Sequence, residues 1–281
     1  RKLQLLLWES TNSAAPIRTL IHDNQAKELK TALKQDWERV RKTWARNDAI
    51  REEAARRERG ETARMLNEEE DRLLKNWQHF QSIQLNTGRI LPNGIQLLDG
   101  NERYTASIKG LELRVMRSIL FPTVEEVDIA FHLALMNSGW NPSTLRNLDA
   151  ESPYLIAPHP KDNGQLVLTS ERFGEQREED EATLLAPKPR ARNKTQFCTG
   201  LVKHTASPPF IVAAYIKRVA PLREMLKQQY AEAVKELEDM RNDSVNANII
   251  EAQYLRTQVL REGCGNVWLY VDLKGNINWL D

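Results

Sequence analysis

From Asp23 onward, apolar residues recur at helical spacing. Leu29, Leu33, Trp37, Val40 and Trp44 follow one another at intervals of four, four, three and four, which puts them on one helix face with Lys and Glu around the rest. Leu66, Leu73, Trp77, Phe80 and Ile83 repeat the pattern. Residues 46–64, between the two stretches, are mostly charged and include Gly60, so the segment reads either as a solvated helix or as a mobile joint. The glycines, prolines and Asn93-Gly94 pair of residues 86–110 predict turns and one short hairpin.

Thr123-Val124-Glu125-Glu126 after Pro122 is a capping box, and the residues behind it, from Val127 to Met136, are apolar almost all round. Such a helix belongs in the centre of a core. Gly139 ends it, and Asn141-Pro142-Ser143 opens a short helix through Leu145 and Leu148. The period then changes: residues 154–157, 165–169 and 195–202 are short and rich in β-favouring side chains. A long helix over 208–240 carries Leu226, Tyr230, Ala233, Leu237 and Met240 as one stripe, and Asn242-Asp243-Ser244 is expected to cap a partner helix through Tyr254 and Leu260. Residues 267–271 and 277–280, joined by Lys274-Gly275-Asn276, predict a β-hairpin. The pattern gives an α+β chain, mostly helical, with a small antiparallel sheet.

The 281 residues are 41% hydrophobic and 28% charged, a globular composition. Forty basic and 39 acidic residues leave a net charge of +1, so local patches must decide about partners. Residues 23–78 hold 14 basic and 13 acidic side chains, which favours a salt-bridge-laced helix over a DNA-tracking arm. Two cysteines, Cys198 and Cys264, are too few for a disulfide scaffold, and the expected compartment is the cytoplasm. The longest purely apolar run, 210–216, is far short of a membrane span. The apolar start at 3–8 breaks at Glu9 without a cleavage site, there is no initial Met, and residue 281 falls within the predicted strand pair. The expectation is a piece of a longer protein, with 1–22 a linker or the tail of a preceding domain.

The five histidines show no metal-ligand spacing, and no glycine-rich phosphate loop or nucleophile elbow is present. No metal or nucleotide cofactor is expected, no small-molecule substrate and no membrane. His132 reads as a hydrogen-bonded core histidine and His159 as a loop residue. Residues 188–204 carry Lys188, Arg190, Arg192, Lys194 and Lys203 with no acidic residue among them. They can grip phosphates or pair with the acidic run at 171–181. Trp37, Trp44 and Trp77 could stack on bases, but their spacing assigns them to a core.

The block at 121–148, and above all Leu-Ala-Leu-Met-Asn-Ser-Gly-Trp-Asn-Pro-Ser-Thr-Leu-Arg-Asn-Leu at 133–148, resembles the first catalytic box of the tyrosine recombinases, the phage-integrase family, in a divergent branch carried by bacterial mobile islands. There an apolar helix runs into Thr-Gly-Leu-Arg and a short helix, followed by a small sheet with a Lys-bearing hairpin and then helices. The resemblance implies a partial recombinase catalytic domain over 23–281 with a helical insertion at about 45–110. It implies double-stranded DNA as partner, self-association on DNA, and strand breakage and joining by a tyrosine. Asn141 stands where the family has its first arginine, with Arg146 as a substitute. Lys188, or else Lys194, stands for the hairpin lysine that acts as general acid, while Arg190, Arg192, Lys194 and Lys203 would bind DNA. No His-x-x-Arg box occurs, so that box and the tyrosine are expected beyond residue 281. The alternative is a non-catalytic DNA-associated or scaffolding protein that keeps the fold, and a third reading is a helical protein-interaction module.

Overall fold

The computed structural model describes residues 23–88, 90–91, 113–170, 196–242, 246–272 and 275–280. The charged stretch at 46–64 is helical as far as Glu58, where α1 (Asp23–Glu58) ends, and turns at Gly60, φ +72°. Its side chains there are good helix formers, and Arg-carboxylate pairs three or four residues apart hold its surface. α2 (Glu68–Thr87) opens on Asn67, whose side chain accepts from the Glu70 N–H at 2.8 Å while Glu70 accepts from the Asn67 N–H. That is a reciprocal cap. Leu66 therefore lies ahead of the helix instead of inside it, although it still packs on the buried cluster.

An element the apolar pattern left out follows, α3 (Leu113–Leu120), and Pro122 lies just beyond it. α4 (Val124–Ser138) carries the expected capping box and buries Val127, Ala130, Phe131, Leu133 and Ala134, with Ile129, Leu135 and Met136 half-buried. α5 is the short helix Pro142–Arg146. The sheet is β1 (Ile156–His159), β2 (Asp162–Thr169) and β3 (Phe197–Leu201), antiparallel in that order. Val167 sits opposite both Ala157 and Thr199. β2 starts three residues earlier than its composition predicts, and His159, expected in a loop, is the last residue of β1. Leu168 and Gly200 mark the face turned toward α6; a Cβ on Gly200 would lie 2.5 Å from that of Ser207, so only glycine lets the strand approach there.

α6 (Pro208–Asn242) is continuous through Pro221 and buries Leu226, Ala233 and Leu237 of the predicted stripe. Asn242 is its last residue, and α7 (Ala247–Gly265) is capped by Asn246, which accepts from the Asn248 N–H at 3.0 Å. The cap expected at 242–244 is thereby displaced, because α6 keeps its register beyond the last apolar residue. The two helices form the expected hairpin, yet α7 meets the stripe with polar groups: Gln253 donates to the Ala233 carbonyl at 3.1 Å and to Glu236 at 2.9 Å. Tyr254 is exposed. β4 (Leu269–Val271) and β5 (Ile277–Trp279) close the described chain as the predicted hairpin.

Two buried clusters result. In the main one, Trp37 and Trp44 of α1 meet edge to face at 5.5 Å, and Trp268 lies 5.4 Å from both Phe131 and Tyr215. The indole N–H groups of these three tryptophans find acceptors, Trp37 on the Thr205 carbonyl, Trp44 on Glu126 and Trp268 on the Leu145 carbonyl, as buried tryptophans require. The second cluster joins Ile50 and Ala54 of α1 to Leu73, Leu74, Trp77, Phe80 and Ile83 of α2 and Ile119 of α3. Trp37, Trp44 and Trp77 are core residues, as their spacing predicts. Among the described residues no helix is long and apolar enough to cross a membrane.

Candidate nucleic-acid interface

The joint between α4 and α5 is built residue by residue from its sequence. Gly139 adopts φ +66°, a left-handed conformation that costs a glycine little, and its N–H returns to the Leu135 carbonyl at 3.0 Å. Trp140 is buried. Asn141 then caps α5: its Oδ1 accepts from the Ser143 N–H and from the Ser143 hydroxyl, both at 3.0 Å, and Pro142 fills the first helical position. Asn141 is exposed and Arg146 half-buried, while Leu145 and Leu148 between and beyond them anchor the segment in the core.

The turn after β3 reaches this joint. Asn137, on the last turn of α4, donates to the Ala206 carbonyl at 2.8 Å, and Trp37 donates to Thr205 at 2.8 Å. Lys203, exposed, sits two residues before that second anchor. Lys188, Arg190, Arg192 and Lys194, with the acidic run 171–181, lie outside the described residues. Of the sequence-derived set, Asn141 and Lys203 thus stand on segments that share one hydrogen-bonded corner, and Arg146 stands one helical turn farther on.

Charge along α1 is less even than its total suggests. All six of its arginines, Arg39, Arg41, Arg46, Arg51, Arg56 and Arg57, bind carboxylates. Its lysines, Lys27, Lys30, Lys34 and Lys42, form no ion pair among the described residues, nor does Lys203. A count of charges over the whole stretch hides this, because five of the eight acids of α1, Asp36, Glu38, Asp48, Glu52 and Glu53, are taken up by its arginines. The signal in the sequence is the spacing of Lys27, Lys30 and Lys34, like charges three and four residues apart.

Around the corner the ionisable groups are structural. Glu126 closes the α4 cap, accepting from Thr123 N–H at 2.9 Å and from Trp44 at 3.1 Å, and burial pushes its pKa up. Arg218 of α6 binds Asp48 at 2.6 Å and the Ile119 carbonyl at 2.8 Å and lies over the Trp44 ring. His132 contacts the Asp128 carbonyl through Nδ1 at 2.7 Å, as a hydrogen-bonded helix histidine should. Arg223, buried and shifted down by that burial, holds the end of α7 through the Cys264 and Asn266 carbonyls. No cluster of three metal-ligating side chains occurs among the described residues. No family model matches this chain, and neither a curated protein nor a solved structure matches it.

Proposed function

We propose that this chain is part of a tyrosine-recombinase-like integrase, binding double-stranded DNA and supporting strand breakage and joining by a tyrosine that these residues do not include. The observation that carries the reading is the corner just described, where the Gly-Trp-Asn-Pro joint is tied through Asn137 to the turn that leaves the sheet. The order of elements supports it as well: a buried capped helix, a short second helix, a three-stranded antiparallel sheet and then long helices. In this reading Asn141 offers its Nδ2 to a phosphate oxygen, Arg146 adds charge, Lys188 or Lys194 protonates the leaving oxygen, and Arg190, Arg192 and Lys203 hold the backbone.

One observation favours a second reading, a DNA-associated scaffold without strand cleavage. Oδ1 of Asn141 is already committed to the Ser143 N–H and hydroxyl, and an amide brings neither the charge nor the fork of an arginine. Incubating the full-length protein with a nicked duplex substrate separates the two. A covalent protein-DNA adduct, increased by Asn141→Arg, supports the enzyme. Salt-dependent duplex binding with no adduct supports the scaffold, and absence of salt-dependent binding overturns both.

A further inference from the structure

We infer that the amino-terminal half of α1 is itself a DNA-backbone contact, with Lys27, Lys30 and Lys34 forming one track together with Lys203; the inference rests on the DNA-binding reading above. At 100° per residue these three lysines and Arg41 fall on one flank of α1, beside the buried row Leu33, Trp37, Val40 and Trp44. The direction of that flank is fixed by contacts. Arg41 lies over Phe210 in the first turn of α6 at 5.2 Å, and Asp48 binds Arg218, so α1 and α6 run the same way and the flank faces α6. The lysines precede Arg41 and therefore project past the start of α6, where Trp37 holds the Thr205 carbonyl and Lys203 stands on the surface.

A helix selected only for stability gains nothing from like charges at these spacings, since they repel; Lys30 has no carboxylate three or four residues away, and Asp23, four residues before Lys27, forms no ion pair with it among the described residues. Glu38, four residues after Lys34, is held by Arg41 at 2.8 Å. The rise from Lys27 to Lys34 is about 10 Å, matching about three phosphates of one DNA strand at their 3.4 Å axial spacing. Lysine also suits contacts that hold a backbone without reading sequence, because its ammonium is a mobile point charge with three donors.

The test is duplex binding by this chain across a salt series, with Lys27, Lys30, Lys34 and Lys203 changed together to Gln. The expected result is a log-log slope flatter by about 0.9 per contact, about 3.6 for four, so that the affinity lost between 50 and 200 mM salt shrinks by about 100-fold. A variant with Lys42, Lys75 and Lys235 changed to Gln should keep the wild-type slope. Lys203→Gln alone should flatten it by about one, which guards against a folding defect in the quadruple variant. An unchanged slope in the quadruple variant and in Lys203→Gln, with wild-type binding intact, overturns the track and leaves DNA binding standing. A wild-type chain that ignores duplex DNA overturns the DNA-binding reading and the track with it. Binding to a polyglutamate peptide in place of DNA overturns the track in favour of an acidic protein partner.

Discussion

Up to Trp44, α1 turns four large apolar side chains into the main core; from Asn47 onward the same helix packs Ile50 and Ala54 against α2 and buries the carboxylate-bearing Glu53. The first half leaves its lysines unpaired among the described residues, and the second spends every arginine on a nearby acid. A continuous helix can therefore serve two environments, one dominated by aromatic packing with spare positive charge and one by a smaller core rimmed with ion pairs. The two glutamates carry the same contrast. Glu53 accepts from Arg57 at 2.9 Å and from the Arg64 N–H, and the Arg57 hydrogen bond holds its pKa down. Glu126, in the main region, is shifted up by burial.

Trp268→Ala should do the most damage, about 3–5 kcal/mol, because it empties the contact among Phe131, Tyr215 and Leu145. Urea unfolding followed by tryptophan fluorescence and by circular dichroism measures the loss. Leu74→Ala, in the second cluster, should cost about 2–5 kcal/mol. If the helix couples the clusters, each variant shifts one shared transition; a separate early transition in Leu74→Ala alone would break the comparison by making the α1-α2 end an independent unit. Asn141→Ala should cost about 1 kcal/mol through the lost cap, and a fall in duplex affinity beyond that would place its amide on DNA.

The two glutamates should respond to pH in opposite senses. A carboxylate with a depressed folded-state pKa stabilises above its unfolded value, about 4.3, and loses that contribution as pH falls through the folded value; one with a raised pKa stabilises below about 4.3 and loses its contribution as pH rises through the folded value. The stability gap between wild type and Glu53→Gln should accordingly narrow on acidification, whereas the gap to Glu126→Gln should shift against wild type as pH rises from 4 toward 7. Melting curves at half-unit pH steps read both, and parallel profiles would remove the electrostatic part of the contrast. The smallest effect belongs to Arg56→Ala, which breaks an exposed pair with Glu52 at 3.2 Å and should cost about 0.3–0.5 kcal/mol at low salt, vanishing at high salt.

The long amphipathic stretches, the Thr123-Glu126 cap, the Asn141 cap with Pro142, and the closing hairpin were legible because each depends on neighbours within a few residues. α3 was not, since its eight residues are too few to show a period by themselves, and the start of α7 was not, since nothing local distinguishes Asn242 from Asn246 as a cap. The candidate site divides the same way. Asn141 could be read as a cap from Asn-Pro-Ser, but the hydrogen bond from Asn137 to Ala206 joins positions 69 residues apart.

What the sequence determined by itself about this protein is a mostly helical α+β chain with tryptophans on its buried faces, near-neutral overall charge and a basic run after the second strand. Periodicity, caps and composition are local properties and need no partner segment to express them. The tertiary structure decided the ion pairs between elements, such as Arg46 with Glu69 or Arg218 with Asp48, because they depend on distances between helices. It also decided that Lys203 and the amino-terminal half of α1 meet at one corner, through a carbonyl at Thr205 that only packing brings to Trp37.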